Sequence, residues 1–177
     1  VIALTLLILL VFCSSPQAFV EKGTKEISIG GSLTRWKVRH KEPETNLNAY
    51  FRAGIMASRR VGAEAEFFLT KLHEQATCHE FNVNLTCNFP MTTSKASVDW
   101  FLLAGAGTSN SLPYAGYMNW TDTGDWRALI LNAGGGMKIL FNDWVAFRIE
   151  YRYQTFFVEV RADSHRVLMG VSAIFAP

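Results

Sequence analysis

The chain has 177 residues, 49% hydrophobic and 18% charged, which excludes a disordered protein, because disorder needs low hydrophobicity and high net charge. With 17 Lys and Arg against 15 Asp and Glu, the net charge of +2 gives no reason to invoke nucleic acid as a partner. No apolar run reaches the roughly 18 residues of a membrane helix, so a multi-helix membrane protein is excluded, while 13% aromatics and 13 glycines suit an all-β chain.

The chain opens on an apolar stretch, Val1 to Phe12, broken only by Thr5 and followed by Cys13-Ser14-Ser15-Pro16-Gln17-Ala18. The stretch is too short to span a bilayer and suits the apolar region of a secretory signal. No initiator Met or basic region precedes it, so the sequence is expected to start inside that signal, with cleavage after Ala18. Residues 1–18 are thus expected to be a signal peptide and 19–177 a single domain. Cys13 invites a lipoprotein reading, but Phe12 stands where lipoprotein signals carry a small residue.

From residue 24 onward the pattern has period 2, the mark of strands with two unlike faces. The first segment, Glu26 to Arg35, sets Ile27, Ile29 and Leu33 against Ser28, Ser32 and Thr34. The second, Leu47 to Ser58, sets Leu47, Phe51 and Ile55 against Asn48, Arg52 and Gly54. In the third, Val61 to Thr70, Val61, Phe67 and Leu69 oppose Glu64, Glu66 and Thr70. The fourth alternates most cleanly, with Phe81, Val83, Leu85, Cys87 and Phe89 between Asn82, Asn84, Thr86 and Asn88.

The fifth, Val98 to Gly107, has Trp100 and Leu102 on its apolar side and a second face, including Asp99, Phe101 and Leu103, that is the least polar of the set. The sixth, Arg127 to Leu140, sets Leu129, Leu131, Met137 and Ile139 against Asn132 and Lys138. In the seventh, Trp144 to Gln154, Phe147, Ile149, Tyr151 and Tyr153 oppose Arg148, Glu150, Arg152 and Gln154. The eighth, His165 to Phe175, sets Val167, Met169 and Val171 against Arg166, Leu168 and Ser172.

Eight strands of about ten residues fit a bilayer crossed at a tilt of about 45°, and an even count suits a closed antiparallel barrel. The fold class expected is an all-β, eight-stranded, up-and-down transmembrane barrel. Connections alternate in length: Arg59-Arg60, Pro90 to Ser97 and Phe141-Asn142-Asp143 are short, whereas Trp36 to Asn46, Lys71 to Glu80, Thr108 to Trp126 and Thr155 to Ser164 are longer. Short periplasmic turns and longer extracellular loops are the asymmetry of outer-membrane barrels. A soluble barrel, with its apolar face inward, would read the same strand by strand. The signal segment decides for the membrane, together with the aromatics Trp36, Trp100, Trp126, Trp144, Tyr153 and Phe175 near segment ends, where interfacial girdles form.

The run from Phe147 to Tyr153 and the run from His165 to Phe175 resemble the closing strands of small bacterial outer-membrane β-barrel proteins of the opacity-protein-like family. Ala104-Gly105-Ala106-Gly107 and Asn132-Ala133-Gly134-Gly135-Gly136 look like that family's glycine-rich fifth and sixth strands. The resemblance implies a bacterial outer-membrane location, with outer-membrane lipids and the barrel-assembly machinery as partners and an extracellular ligand met through the long loops. It implies that Phe175 is the aromatic assembly signal, here followed by Ala176 and Pro177. Some eight-stranded barrels are instead lipid A deacylases, with His and Ser two residues apart on a late strand. Here Thr155-Phe156-Phe157 follows Gln154, and Ser164 and His165 are adjacent, so they point to opposite faces.

The densest charged group is Arg52, Glu64, Glu66, Lys138, Arg148, Glu150 and Arg152, all on the mixed face. Paired carboxylates can do acid–base work, but in an eight-stranded barrel side chains fill the interior and buried charges need partners. A structural lumen network is expected, with no open pore, no catalytic residue and no cofactor. His73 to Glu80 offers two imidazoles, a thiol and two carboxylates, but His73 and His79 are six apart, so a solvated polar loop is expected rather than a metal site. Cys87, expected mid-strand on the lipid side, would lie too far from Cys78 to bridge unless the loop folds back. Gly134-Gly135-Gly136-Met137-Lys138 lacks the ending of a phosphate loop, and its glycines are expected to relieve crowding in a narrow barrel.

Overall fold

The computed structural model describes residues 22–38, 43–72, 76–92, 97–110, 128–141, 143–157 and 162–177. The expected signal segment, Trp126 and His73 lie outside them. Eight strands follow in chain order: β1 (Lys25–Val38), β2 (Glu44–Met56), β3 (Val61–Leu72), β4 (Ala76–Thr92), β5 (Ser97–Ser109), β6 (Ala128–Leu140), β7 (Val145–Phe157) and β8 (Ala162–Phe175). Each pairs antiparallel with its sequence neighbours, and β1 pairs with β8 from Lys25↔Phe175 to Val38↔Ala162, so the sheet is closed. Neighbouring pairs keep full ladders, such as Ser28↔Arg52 and Ser28↔Ser172 on the two sides of β1. Closure leaves no sheet edge with unpaired N–H and C=O groups.

The alternation sorts side chains as a soluble protein does not. Ile29 is 63% exposed, Leu47 76% and Val83 50%, whereas Arg52, Glu66, Arg148, Glu150 and Arg152 are buried. The apolar face is outside and the charged face inside. A continuous apolar exterior of this kind has no favourable state in water. Two of the interior glycines on adjacent strands make room for a ring. A Cβ at Gly170 would lie 2.2 Å from the Tyr50 hydroxyl oxygen, and one at Gly30 would lie 2.8 Å from the Tyr50 ring. In β6 the crowding is against backbone: a Cβ at Gly136 would lie 2.0 Å from the Ile149 carbonyl oxygen.

Several sequence expectations are corrected. The strands run further on the side of the expected long loops, because the inward and outward rows continue past the expected segment ends. Trp36 belongs to β1, Ala76–Glu80 to β4, Thr155–Phe157 to β7 and Ala162–Ser164 to β8. Three of the four expected long connections shrink to residues 39–43, 73–75 and 158–161, and the one between β5 and β6, residues 110–127, alone stays long. The His73 to Glu80 stretch is therefore mostly strand, with Glu80 fully buried. Trp36, expected in an outer girdle, points inward and is 1% exposed, because it continues the row of Ser28, Ser32 and Thr34. Trp100, Trp144 and Phe175 are exposed and Tyr153 borders on it. Cys87 keeps the outward parity expected of it, in register with Val61 and Leu102, yet is 1% exposed. Cys78, expected in a loop, is buried in β4 with its Sγ 3.4 Å from the Ser109 hydroxyl; as expected, the two do not form a disulfide with each other.

The longer strands also move the strand centres. Leu131 is the fourth residue of β6 and Phe147 the third of β7, whereas Ile29 lies midway along the outward apolar row of β1 and Met169 near the middle of β8. Ile29→Arg and Met169→Arg should each destabilise the folded barrel in lipid vesicles by ~2–4 kcal/mol, and Phe147→Arg by about 1 kcal/mol or less, by the depth dependence of barrel hosts. Urea titrations of the three variants check the ranking. Equal costs, or none, would mean the outward face does not sit in lipid as described.

Candidate functional site

Side chains fill the barrel in layers. The middle layer is built by strict alternation. Arg148, Glu150 and Arg152 are two apart on β7, Glu64 and Glu66 two apart on β3, and Arg52 opposes Glu66 across the β2–β3 ladder. Arg148 forms a fork with Glu64, Nη1 to Oε1 at 2.6 Å and Nη2 to Oε2 at 3.1 Å, and also donates to Glu150 Oε2 from Nε at 3.1 Å and Nη2 at 2.9 Å. Arg152 forks onto Glu66 and donates from Nε to Glu150 Oε1 at 2.7 Å. Arg52 donates from Nη2 to Glu150 Oε2 at 2.9 Å, while its Nε lies against Glu66 without hydrogen-bond alignment. Glu150 thus accepts from three guanidiniums, the geometry that makes charge-assisted pairs strong and directional. Asn84 completes the Glu66 shell at 2.8 Å.

Lys138 reaches Glu26 rather than this cluster, at 2.5 Å, near the end where the chain enters and leaves the barrel. Ser172 donates to the other oxygen of Glu26 at 2.8 Å. Beside them Glu26, Glu64, Asn88, Asp99 and Lys138 line a cavity of about 20 Å³, room for one water.

Sequence reasoning missed a third fork. Arg166 donates from Nη1 and Nη2 to the two carboxylate oxygens of Glu80 at 3.1 and 2.8 Å, and from Nε to Thr34 at 2.8 Å. Its guanidinium lies 4.2 Å from the Phe68 ring centroid, and that of Arg148 lies 3.9 Å from Phe101. Such stacking suits the weakly hydrated guanidinium, which keeps its charge while apolar rings enclose it. Above this level Trp36, Ala128, Ile130, Phe156 and Ala162 form an apolar cluster at the end carrying the connection 110–127, with Trp36 and Phe156 ring centroids 4.7 Å apart.

The arrangement has little chemistry to offer a substrate. Each carboxylate of the central group is held by guanidinium, and the apolar cluster caps the lumen. Among the described residues no group of three or more His, Cys, Asp or Glu could hold a metal ion. His79 lies against Phe67, with ring centroids 5.8 Å apart. Phe175, the last residue of β8, is outward and opposes Lys25.

No family model matches the sequence, and no curated protein matches it. Solved structures do. Neisserial surface protein A is similar at 13% identity and a TM-score of 0.67, over 86% of this chain and 99% of that one. The β-barrel domain at the N-terminus of OprF from Pseudomonas aeruginosa is similar at 14% identity and a TM-score of 0.57, over 87% and 98%. Ail, the attachment invasion locus protein of Yersinia pestis, is similar at 17% identity and a TM-score of 0.54, over 87% and 99%. At these identities the likeness establishes the fold, which is that of small outer-membrane β-barrels.

Three variants test the energetics of the lumen. Glu150→Ala strands buried guanidinium charge and should destabilise folding by roughly 3–5 kcal/mol, whereas Arg166→Met combined with Glu80→Leu removes both partners and should cost far less than Glu80→Ala alone. Urea-unfolding midpoints of the three check both expectations. A Glu150→Ala variant as stable as the parent would show that the network does not hold the barrel together.

Proposed function

We propose that this chain is a non-enzymatic β-barrel of the bacterial outer membrane, with an envelope-structural or surface-interaction role. The observation that carries the reading is the inverted sorting of side chains, apolar outside and ion-paired inside, in a sheet closed on itself. In hydrocarbon, backbone groups must be satisfied internally, and a closed barrel does so. Export through the apolar segment 1–18 is part of the proposal. So is assembly by the barrel-assembly machinery, with Phe175 as its aromatic signal at the end of β8. The lumen charges Arg52, Glu64, Glu66, Lys138, Arg148, Glu150 and Arg152 serve to hold the eight walls together rather than to pass ions.

With three connections short, a surface ligand would be met mainly through residues 110–127. Loops carry binding because they can vary without disturbing the scaffold. The deacylase alternative needs a Ser and a His facing one substrate. Ser164 is fully buried in the lumen and His165 is exposed outside, which speaks against a shared role. A soluble lipid-binding barrel would place its apolar face inward around a ligand cavity, the reverse of the sorting described.

Cell fractionation with a heat-modifiability gel tests the location. The account expects recovery in the outer-membrane fraction and a band that shifts on boiling. Recovery as a soluble periplasmic protein without detergent would overturn it.

A further inference from the structure

Among the described residues the outward face carries no charged side chain between its two rims. The row on β1 reads Lys25, Ile27, Ile29, Gly31, Leu33, Arg35, Lys37, all exposed, so cations bracket an apolar stretch. Ten residue steps from Lys25 to Arg35 span about 33 Å along a strand, or about 23 Å along the axis at a tilt of ~45°, close to the ~25 Å apolar band of such barrels. Arg35 therefore sits at the apolar–polar boundary and Lys37 just beyond it, on the side of the connection 110–127.

The neighbouring strands extend this position into a patch. Arg35 opposes His165 on β8, and His165 opposes Tyr153 on β7. The Tyr151 hydroxyl lies 2.6 Å from His165 Nδ1, and the Tyr153 and His165 ring centroids are 5.3 Å apart. When the phenol donates, His165 Nε2 carries the proton and is a donor. Asp163 opposes Lys37 in register and accepts the Thr155 hydroxyl at 2.9 Å. Neither Arg35 nor Lys37 has an ion-pair partner among the described residues.

We propose that Arg35, Lys37 and His165 form an outward-facing site for the phosphate of a phosphorylated glycolipid in the outer leaflet, with Tyr151 and Tyr153 against its sugar–acyl boundary. The inference rests on the outer-membrane reading above and deepens it by naming a lipid headgroup as ligand. Charge complementarity and height select the occupant. A cationic row at the headgroup level meets phosphate, while the row beneath it, Tyr151, Val167 and Leu33, meets acyl chain. Guanidinium matches phosphate oxygens in a bidentate fork, and the lysine adds a point charge.

The test uses the full chain folded in detergent and equimolar lipid A and its dephosphorylated form, with bound lipid read by native mass spectrometry. At about fivefold per cation near an anionic surface, the parent should prefer the phosphorylated lipid by about thirtyfold. R35Q/K37Q should lose that preference, and K25Q, at the opposite rim, should keep it. Equal binding of both lipids by the parent, or an undiminished preference in R35Q/K37Q, overturns the site. Displacement of the lipid by millimolar inorganic phosphate overturns it in favour of free phosphate. Heat-modifiable migration is recorded first for each sample. A parent chain that lacks it fails as a membrane barrel and takes this site with it, whereas one that shows it and lacks the lipid preference fails on the site alone.

Discussion

A sheet in hydrocarbon has to close, and the pairing of β1 with β8 from Lys25↔Phe175 to Val38↔Ala162 is what the rest of this molecule depends on. Without that seam, two strands would offer backbone donors and acceptors to an environment that cannot satisfy them. With it, eight strands enclose a lumen too narrow for bulk water, and every side chain of the inward rows must find its partners within reach. The ion-pair network is the consequence. It gathers strands far apart in sequence, as when Glu150 on β7 meets Arg52 on β2 and Arg148 meets Glu64 on β3.

Buried ion pairs are weak evidence for stability as such, because desolvation offsets much of their attraction. Their effect here is geometric. A fork such as Arg166–Glu80 tolerates little displacement, so it ties β8 to β4 across the barrel and fixes which walls face each other. Ring stacking of Arg148 on Phe101 and Arg166 on Phe68 lets the guanidiniums share the interior with aromatic side chains. The apolar cluster around Trp36 and Phe156 then caps the lumen at the end bearing the long connection. Under the proposed reading, function falls to the outside: the connection 110–127 and the lipid-facing rims.

Much of this architecture is legible in the amino-acid sequence because a two-residue period leaves a strong trace over eight segments. The inward row Arg148, Glu150, Arg152 and the outward row Ile27, Ile29, Leu33 follow from parity alone. Parity also reaches further than the segment ends suggest. Trp36 shares it with Thr34, Glu80 with Asn82, and Phe156 with Gln154, so carrying each row further would have placed all three inside. Charged and aromatic residues near a segment end resemble a loop or a girdle, and that likeness masks their parity. Glu26 stands at the edge of its segment, and Arg166 has no visible partner while Glu80 reads as loop. The direction of the apolar face, in or out, is not in the period at all. It rests on where the charges go.

That direction is the central claim, and spin labels test it most directly. Single cysteines at Ile29, Val83 and Met169 on the outward rows, and at Ser28 and Asn84 on the inward rows, are introduced with Cys78 and Cys87 replaced and labelled in lipid bilayers. The account expects outward labels to be relaxed by oxygen and shielded from a water-soluble nickel chelate, and inward labels to be inaccessible to both. Outward labels relaxed by the nickel chelate, with oxygen-accessible labels at Ser28 and Asn84, would contradict it.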